Sequence, residues 1–278
     1  MLAGGDPLAG AVSELNVVSK IGTTAYRSRF RAWARSPALR LLLGLTYAWS
    51  GYAIMWIIWV SFVVFLAEPR PLLVTWLPTT VDHGARLQHP LVSVLIDLGL
   101  IALFGLQHSL MARPWFKAHV MRMPAAFERC TYVHMANLAL FLLIFFWHPI
   151  PVEVWQLRER MAQEALWIAF ACGWLILLAG AWSFGIGDLL GLAQMREWVY
   201  RRPPPMLPLR TGGFYRWLRH PMYVGVLLGV WATPHMSVGH MLLALGLTIY
   251  VLIAVRYEER DLAEAFGALY RRWREAAS

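Results

Sequence analysis

The chain has 278 residues, 59% of them hydrophobic, with a formal net charge of +9 and a mean hydropathy of +0.51. Several apolar runs reach the about 20 residues that a bilayer crossing needs, which excludes an ordinary soluble domain. The charge does not read as a nucleic-acid surface either. Its Lys and Arg sit beside the apolar runs, where they orient spans and meet anionic lipid.

Residues 1–36 carry Gly, Pro and Ser, then a basic stretch from Tyr26 to Arg35. They read as a loose cytoplasmic tail leading to an interfacial segment around Trp33. Span one is expected over roughly 38–66 and ends at Glu68-Pro69-Arg70-Pro71. A loop over 72–89 follows, then span two at about 91–110. Span three is expected at about 129–147, stopped by His148-Pro149, and span four at about 165–187. Residues 37–187 thus form a four-helix transmembrane region. Residues 188–220, with six Arg and four Pro, read as a loop. The apolar stretch 221–255 is too long for one ordinary helix, and Thr233-Pro234-His235 breaks it. A helical hairpin is expected, about 218–232 and 237–256, followed by an amphipathic tail helix over 257–274 seated as a lid. The fold class is therefore all-α: a polytopic membrane protein with four transmembrane helices, a C-terminal helical hairpin and a cytoplasmic tail helix.

Only Arg70, Arg86, Arg158 and Arg160, among 25 Lys and Arg, fall in the loops on one side of this layout. The positive-inside rule then puts both termini in the cytoplasm and the protein in the inner, cytoplasmic membrane. A single helix through 221–255 would put the basic C-terminus outside. The first apolar run starts too late and lasts too long for a signal-peptide core. Cys130 and Cys172 fall at different depths, so they frame neither a disulfide scaffold nor a Cys-based metal site.

In this layout the polar residues of four segments reach one depth. Gln107, His108 and Ser109 end span two; His134 and Asn137 open span three; Asp188 ends span four; Arg219, His220, Tyr223, Glu258 and Glu259 lie at the hairpin's two ends. Charges at a membrane edge are costly unless they are used. Gln107 and His108 suit a helix cap or a catalytic role. His134 and Asn137 suit bonds between helices or a substrate role. Asp97, alone and deeper, suits a structural partner. Pro221 sets Arg219 and His220 at a helix start, where free N–H groups favour a carboxylate ligand. Glu258 shares a helix face with Leu262, Phe266 and Leu269, and is preferred over Glu259 as the inward-facing acid. No HxxxH, HExxH, GxGxxG, Walker or GxSxG pattern appears, so neither a metal nor a Rossmann-bound cofactor is expected.

Gly213-Phe214-Tyr215, Arg219-His220-Pro221-Met222-Tyr223-Val224-Gly225, Glu258-Glu259 and Phe266-Gly267-Ala268-Leu269-Tyr270 resemble the isoprenylcysteine carboxyl methyltransferase superfamily. Upstream, Gln107-His108-Ser109-Leu110-Met111-Ala112-Arg113-Pro114, Phe116-Lys117 and Asp188-Leu189-Leu190-Gly191-Leu192-Ala193-Gln194 resemble its methanethiol S-methyltransferase branch. The first of these upstream elements is shared with related membrane proteins associated with nitric oxide respiration.

The resemblance implies S-adenosylmethionine as methyl donor, a small apolar thiol as acceptor, and in-line transfer. It implies that residues 188–278 form the donor-binding part. Arg219, His220 and Tyr223 would hold the donor's amino-acid end, and Glu258 or Glu259 a polar or cationic part. Gln194, Gly213 and Tyr215 would line the remainder. Asp188 or His108, beside Gln107, would take the thiol proton. The alternatives are methylation of a prenylcysteine or other lipid, an NADPH-dependent steroid-type reductase, or a non-enzymatic accessory or transport protein.

Overall fold

The computed structural model describes residues 37–68, 77–85, 87, 89–203 and 209–276. The tail and basic segment expected over 1–36 lie outside the described residues, as do Arg70 and Arg86. Seven helices of eight or more residues carry the described fold: α1 (Pro37–Ala67), α2 (Pro90–Leu110), α3 (Ala125–Phe145), α4 (Arg160–Phe184), α5 (Leu192–Val199), α6 (Pro221–Trp231) and α7 (Val238–Ala276). Proline occupies the first turn of α2 and α6, where no intrahelical donor is lost. The Glu159 carboxylate caps α4 by accepting from the Met161 and Ala162 amides at 3.0 and 2.7 Å.

Four helices are long and apolar enough to cross a membrane: α1, α2, α4 and α7. With α3 they make an all-α polytopic membrane protein. Helix α3 has matching length but carries Glu128, Arg129, His134 and Asn137 within its first thirteen residues. The chain alternates between two ends. Helices α2 and α4 finish, and α3 and α6 begin, at what is called the polar end.

The core of the opposite half is aromatic. Phe62, Phe65 and Trp147 pack edge-on or stacked, with Trp174 against Phe62, Trp59 and Phe170. Trp147 Nε1 donates to the Val81 carbonyl at 3.1 Å, so even the indole dipole is satisfied. Asp97 has the structural partner expected of it. Fully buried, it accepts the His148 backbone N–H at 3.0 Å and ties α2 to the end of α3. Asp97→Ala should lower stability by about 1–3 kcal/mol, because it orphans that N–H, whereas Asp97→Asn keeps an acceptor and should be near neutral. Thermal melts in detergent compare the two.

Helices α4 and α6 meet backbone to backbone. A Cβ on Gly173 would lie 2.6 Å from Gly229 N and 2.8 Å from Gly225 O, so neither helix can carry a side chain there. Gly225-Val-Leu-Leu-Gly229 is the small-xxx-small pattern that allows close approach between membrane helices. This contact sets α6 beside α4, with Pro221 and Met222 against Gly180, one turn short of the α4 terminus.

Several expectations change in detail. The hairpin breaks at Thr233-Pro234-His235 as read, but its turn forms a short strand. Residues β2 (His235–Ser237) pair antiparallel with β1 (Glu153–Gln156), a pairing the helical patterning hid. Residues 188–220 are not a plain loop: a one-turn helix Ile186–Leu190, then α5 and a 3-10 turn Gly213–Arg216 lie around or within them. Positive φ at Gly185 (99°) and Gly191 (86°) stops the helices on either side of the first turn. The tail is not a separate helix starting at 257. It continues α7 as far as Gly267, whose φ of 51° and ψ of −121° kink the last turns. That kink turns Tyr270 inward and leaves Leu269 60% exposed, so the face read from Glu258 to Leu269 is not a buried stripe.

Candidate active site

The polar end is built from four helices and the segment after α4. On α2, His108 lies against the rings of Phe104, Tyr132 and Tyr250, with centroids 5.4, 5.0 and 6.0 Å away. Its Nδ1 is buried and has no hydrogen-bond partner. Gln107 donates to Met111 Sδ at 3.3 Å rather than to any other candidate residue, and its carbonyl oxygen is buried and unpartnered. Such orphaned polar atoms are uncommon and need an explanation.

The Asp188 turn docks on α3. Gly191 is required there, because a Cβ would come within 2.9 Å of Cys130 Sγ and 3.0 Å of its backbone N. Arg129 Nε donates to the Leu189 carbonyl at 2.7 Å and holds the turn in place. Its guanidinium lies 5.4 Å over the Tyr132 ring. The Asp188 carboxylate pairs with Arg210 at 2.6 Å. Gln194 is buried, reaches the Asp188 carbonyl at 3.5 Å, and leaves its own side-chain oxygen unpartnered. Gly213 has φ 60° and sits against Ser183, whose hydroxyl would be 2.7 Å from a Cβ. Tyr215 is buried against Phe184. Burial, with the Glu258 charge adding to it, pushes the Tyr215 phenol up to about 12, so it stays a neutral donor at physiological pH.

At the start of α6, one carboxylate receives two basic groups. Glu259 Oε1 lies 3.3 Å from both Arg219 Nη1 and His220 Nε2. The other face of the imidazole meets Glu258, with Nδ1 3.8 Å from Oε2. The preference for Glu258 alone therefore does not match this geometry: both acids reach His220. Glu258 also hydrogen-bonds Tyr223 and lies in electrostatic range of Tyr132, Tyr215 and Tyr250. The Asp188 turn and Glu258 thus converge on Tyr132: Arg129, bonded to the Leu189 carbonyl, lies over its ring, and Glu258 lies within electrostatic range of it.

His134 and Asn137 stay outside this assembly. His134 bonds Ser50 at 3.1 Å and the Cys130 carbonyl at 2.8 Å, while Asn137 donates to the Gly51 carbonyl at 3.1 Å. They bridge α1 and α3. Open grooves of about 390 and 250 Å³ also lie along these two helices, lined by Leu43, Thr46, Tyr47, Ser50 and Phe127, and by Ile54, Ile58, His134, Asn137, Leu138 and Phe141. Their walls include the outward-facing Leu43, Ile54, Leu138 and Phe141, and of the candidate residues they touch only His134 and Asn137.

Sequence reasoning missed Arg129, Tyr132, Tyr250 and Arg210. The tyrosines look like core or belt residues, and the arginines like topology charges. Only the convergence of helices distinguishes them. Among the described residues no group of His, Cys, Asp or Glu has the arrangement of a metal site.

An ionic pair of acids around a helix-start imidazole, beside an aromatic floor with unpaired polar atoms, suits an organic ligand carrying both signs of charge. Residues 168–268, which hold most of these groups, match the family model described as phospholipid methyltransferase. The chain is a membrane methyltransferase. It is 40% identical to a methanethiol S-methyltransferase of Crocosphaera subtropica over 72% of this chain and 78% of that one. With the Mycobacterium tuberculosis methanethiol S-methyltransferase it shares 38% identity, over 72% of this chain and 82% of the relative. The chain belongs to the methanethiol S-methyltransferase family. It is also similar to the nurim of Bos taurus, at 31% identity over 71% of this chain and 76% of the relative. No solved structure matches it.

Proposed function

We propose that this protein methylates methanethiol to dimethyl sulfide, with S-adenosylmethionine as donor, at the polar end of its helix bundle. The observation that carries the reading is the convergence on Tyr132 of the Asp188 turn, through Arg129 over its ring, and of the His220–Glu258–Glu259 cluster, whose Glu258 lies within electrostatic range of it. This is the donor set such a molecule needs. Arg219 and His220, at the start of α6, suit its carboxylate. Glu258 and Glu259 suit its ammonium and sulfonium charges, and the aromatic faces of Tyr132, Tyr223 and Tyr250 add a cation–π surface. Gln194, Gly213 and Tyr215 offer an unpaired oxygen, a place without a side chain and a neutral hydroxyl for the rest.

When bound, the donor supplies a methyl group on a positively charged sulfur. The chain's own residues do the rest. A thiol is a weak nucleophile until deprotonated. Asp188, paired with Arg210, accepts the thiol proton, and His108 and Gln107 wall the acceptor's side. A small apolar thiol enters from lipid and needs no carboxylate clamp. Alignment of the thiol sulfur with the donor's methyl group supplies much of the acceleration. The distribution of Lys and Arg supports placing this end, with both termini, in the cytoplasm of a cell whose inner membrane holds the protein.

Purified protein given S-adenosylmethionine and methanethiol should release dimethyl sulfide. Product formation from a phospholipid or prenylcysteine, and none from methanethiol, would replace this reading. The first of those outcomes is a specific second reading, because the matching family model is named for phospholipid methylation. Asp188→Asn should lower kcat by about 100-fold or more, the range of a lost general base, with donor affinity kept. Unchanged turnover would remove Asp188 from the mechanism.

A further inference from the structure

Arg129 differs from the other cations around the Asp188 turn and the two glutamates. Arg113 pairs with Asp261 at 2.7 Å, Arg210 with Asp188 at 2.6 Å and Arg219 with Glu259 at 3.3 Å. Lys117 shares its field with Glu128. Arg129 has no carboxylate within ion-pair distance among the described residues. Its one hydrogen bond there runs from Nε to the Leu189 carbonyl, and this leaves the outer guanidinium nitrogens uncommitted. It is half-buried, in the first turns of a helix within the membrane bundle. An uncompensated guanidinium in that setting is costly unless an anion completes it.

Its surroundings say which anion. Arg129 lies over the Tyr132 ring, within electrostatic range of His108, and bonded to the residue next to Asp188. No other described cation touches both the aromatic floor and the Asp188 turn. Arg113 and Lys117 add positive potential from the neighbouring segment. A sugar or phosphate ligand would need several donors; a single guanidinium beside ring faces fits a small, soft, monovalent anion.

We propose that Arg129 is the anion-holding residue of the acceptor site, pairing with the thiolate as it forms. This rests on the reading of the chain as a thiol methyltransferase. The acceptor's S–H proton passes to the Asp188 carboxylate while the sulfur's negative charge is held by the guanidinium. The sulfur lone pair then forms the new S–CH3 bond. The donor's C–S bond breaks with its electron pair returning to the donor sulfur, and both products leave neutral at sulfur. Arg129 thereby lowers the pKa of the bound thiol. Turnover rises with pH as the bound thiol ionises, so losing the guanidinium must move that rising limb upward.

The test uses the full-length protein in detergent. For Arg129→Met the alkaline-rising limb of kcat should shift up by about 1–3 pH units, the range for one lost opposite charge nearby. At neutral pH kcat should fall at least 10-fold, with S-adenosylmethionine affinity by calorimetry unchanged. Arg129→Lys should restore most of the rate and return the limb towards its original position. An aromatic thiol, which ionises more readily, should lose less of its neutral-pH rate in Arg129→Met than methanethiol does. A uniform loss at every pH, without rescue by lysine or by the acidic thiol, would overturn the proposal and leave Arg129 as a brace for the Leu189 turn. If Arg129→Met does not fold, the lysine variant decides, since a lysine enzyme with wild-type fold and no activity also overturns it. Wild-type protein that binds the donor but methylates no thiol would instead sink the parent reading, so the two failures are distinguishable.

Discussion

His220→Ala should raise the dissociation constant for S-adenosylmethionine by about 100-fold or more while leaving the helix bundle intact. The imidazole lies between two acids, 3.3 Å from Glu259 and 3.8 Å from Glu258, and is only 14% exposed. A hydrogen bond to a charged group contributes about 1.5–3 kcal/mol, or roughly 10- to 100-fold, and His220 makes one such bond, to Glu259, with the Glu258 carboxylate on its other side adding to the effect. Removing it also frees the acids from the position in which they would meet the donor. Arg219 remains on Glu259, so the α6–α7 contact is not lost. Calorimetric titration with the donor, beside a thermal melt, separates the outcomes. An unfolded variant would mean that His220 is a structural clamp, and unchanged affinity would move the donor site elsewhere.

The largest effect on the fold is expected from Gly225→Val. A Cβ at that position would lie 2.6 Å from Gly173 O, 2.6 Å from Leu177 N and 3.0 Å from Leu177 Cα. All three are backbone atoms of α4, so no side-chain rotation relieves the clash. Overpacking of this kind costs about 1–3 kcal/mol in well-packed cores, and more where only main chain can yield. The damage reaches the site, because α6 begins with Pro221 and carries Tyr223. A displacement near 1 Å at the reacting groups can cost about 100-fold in rate. The variant should therefore melt earlier and lose turnover even below its melting temperature. Gly99→Ala, with nothing within 4 Å of a new Cβ, is the matched control and should melt close to the parent protein. A Gly225→Val protein with parental melting and turnover would show that α4 and α6 do not hold this contact in the membrane.

The main architecture was legible because hydropathy and proline punctuation act locally. The runs that became α1, α2, α4 and α7 announce themselves by length, and Pro221 and Pro234 mark the two ends of the hairpin's short arm. The small sheet was not legible. Glu153–Gln156 and His235–Ser237 are short, and only their pairing across 78 or more residues makes strands of them. Continuity of α7 past Glu258 was hidden by the change from apolar to charged residues, which looks like a boundary although the backbone does not break until Gly267.

The site shows the same division. Arg219, His220, Glu258 and Glu259 stand out as charges at the edge of apolar runs, and they do meet. What the sequence could not say is how the contacts are shared. Glu259 rather than Glu258 takes Arg219, and Asp188 has an arginine partner 22 residues away. Such pairings depend on how helices rotate against each other. The Gly225–Gly229 spacing went unread, because its meaning needs the partner surface at Gly173.

Helix α7 also acts as a ruler. Glu258 follows Val238 by twenty residues, and at 1.5 Å per residue that interval is about 30 Å, the thickness of a hydrocarbon core. The acids are thus fixed at a set height above the opposite leaflet by a rod without a joint, whereas His220 hangs from the much shorter α6, moored to α4. A thicker or thinner bilayer tilts the long rod more readily than the moored one. Acyl-chain length therefore becomes a mechanical input to the distance between His220 and the two acids.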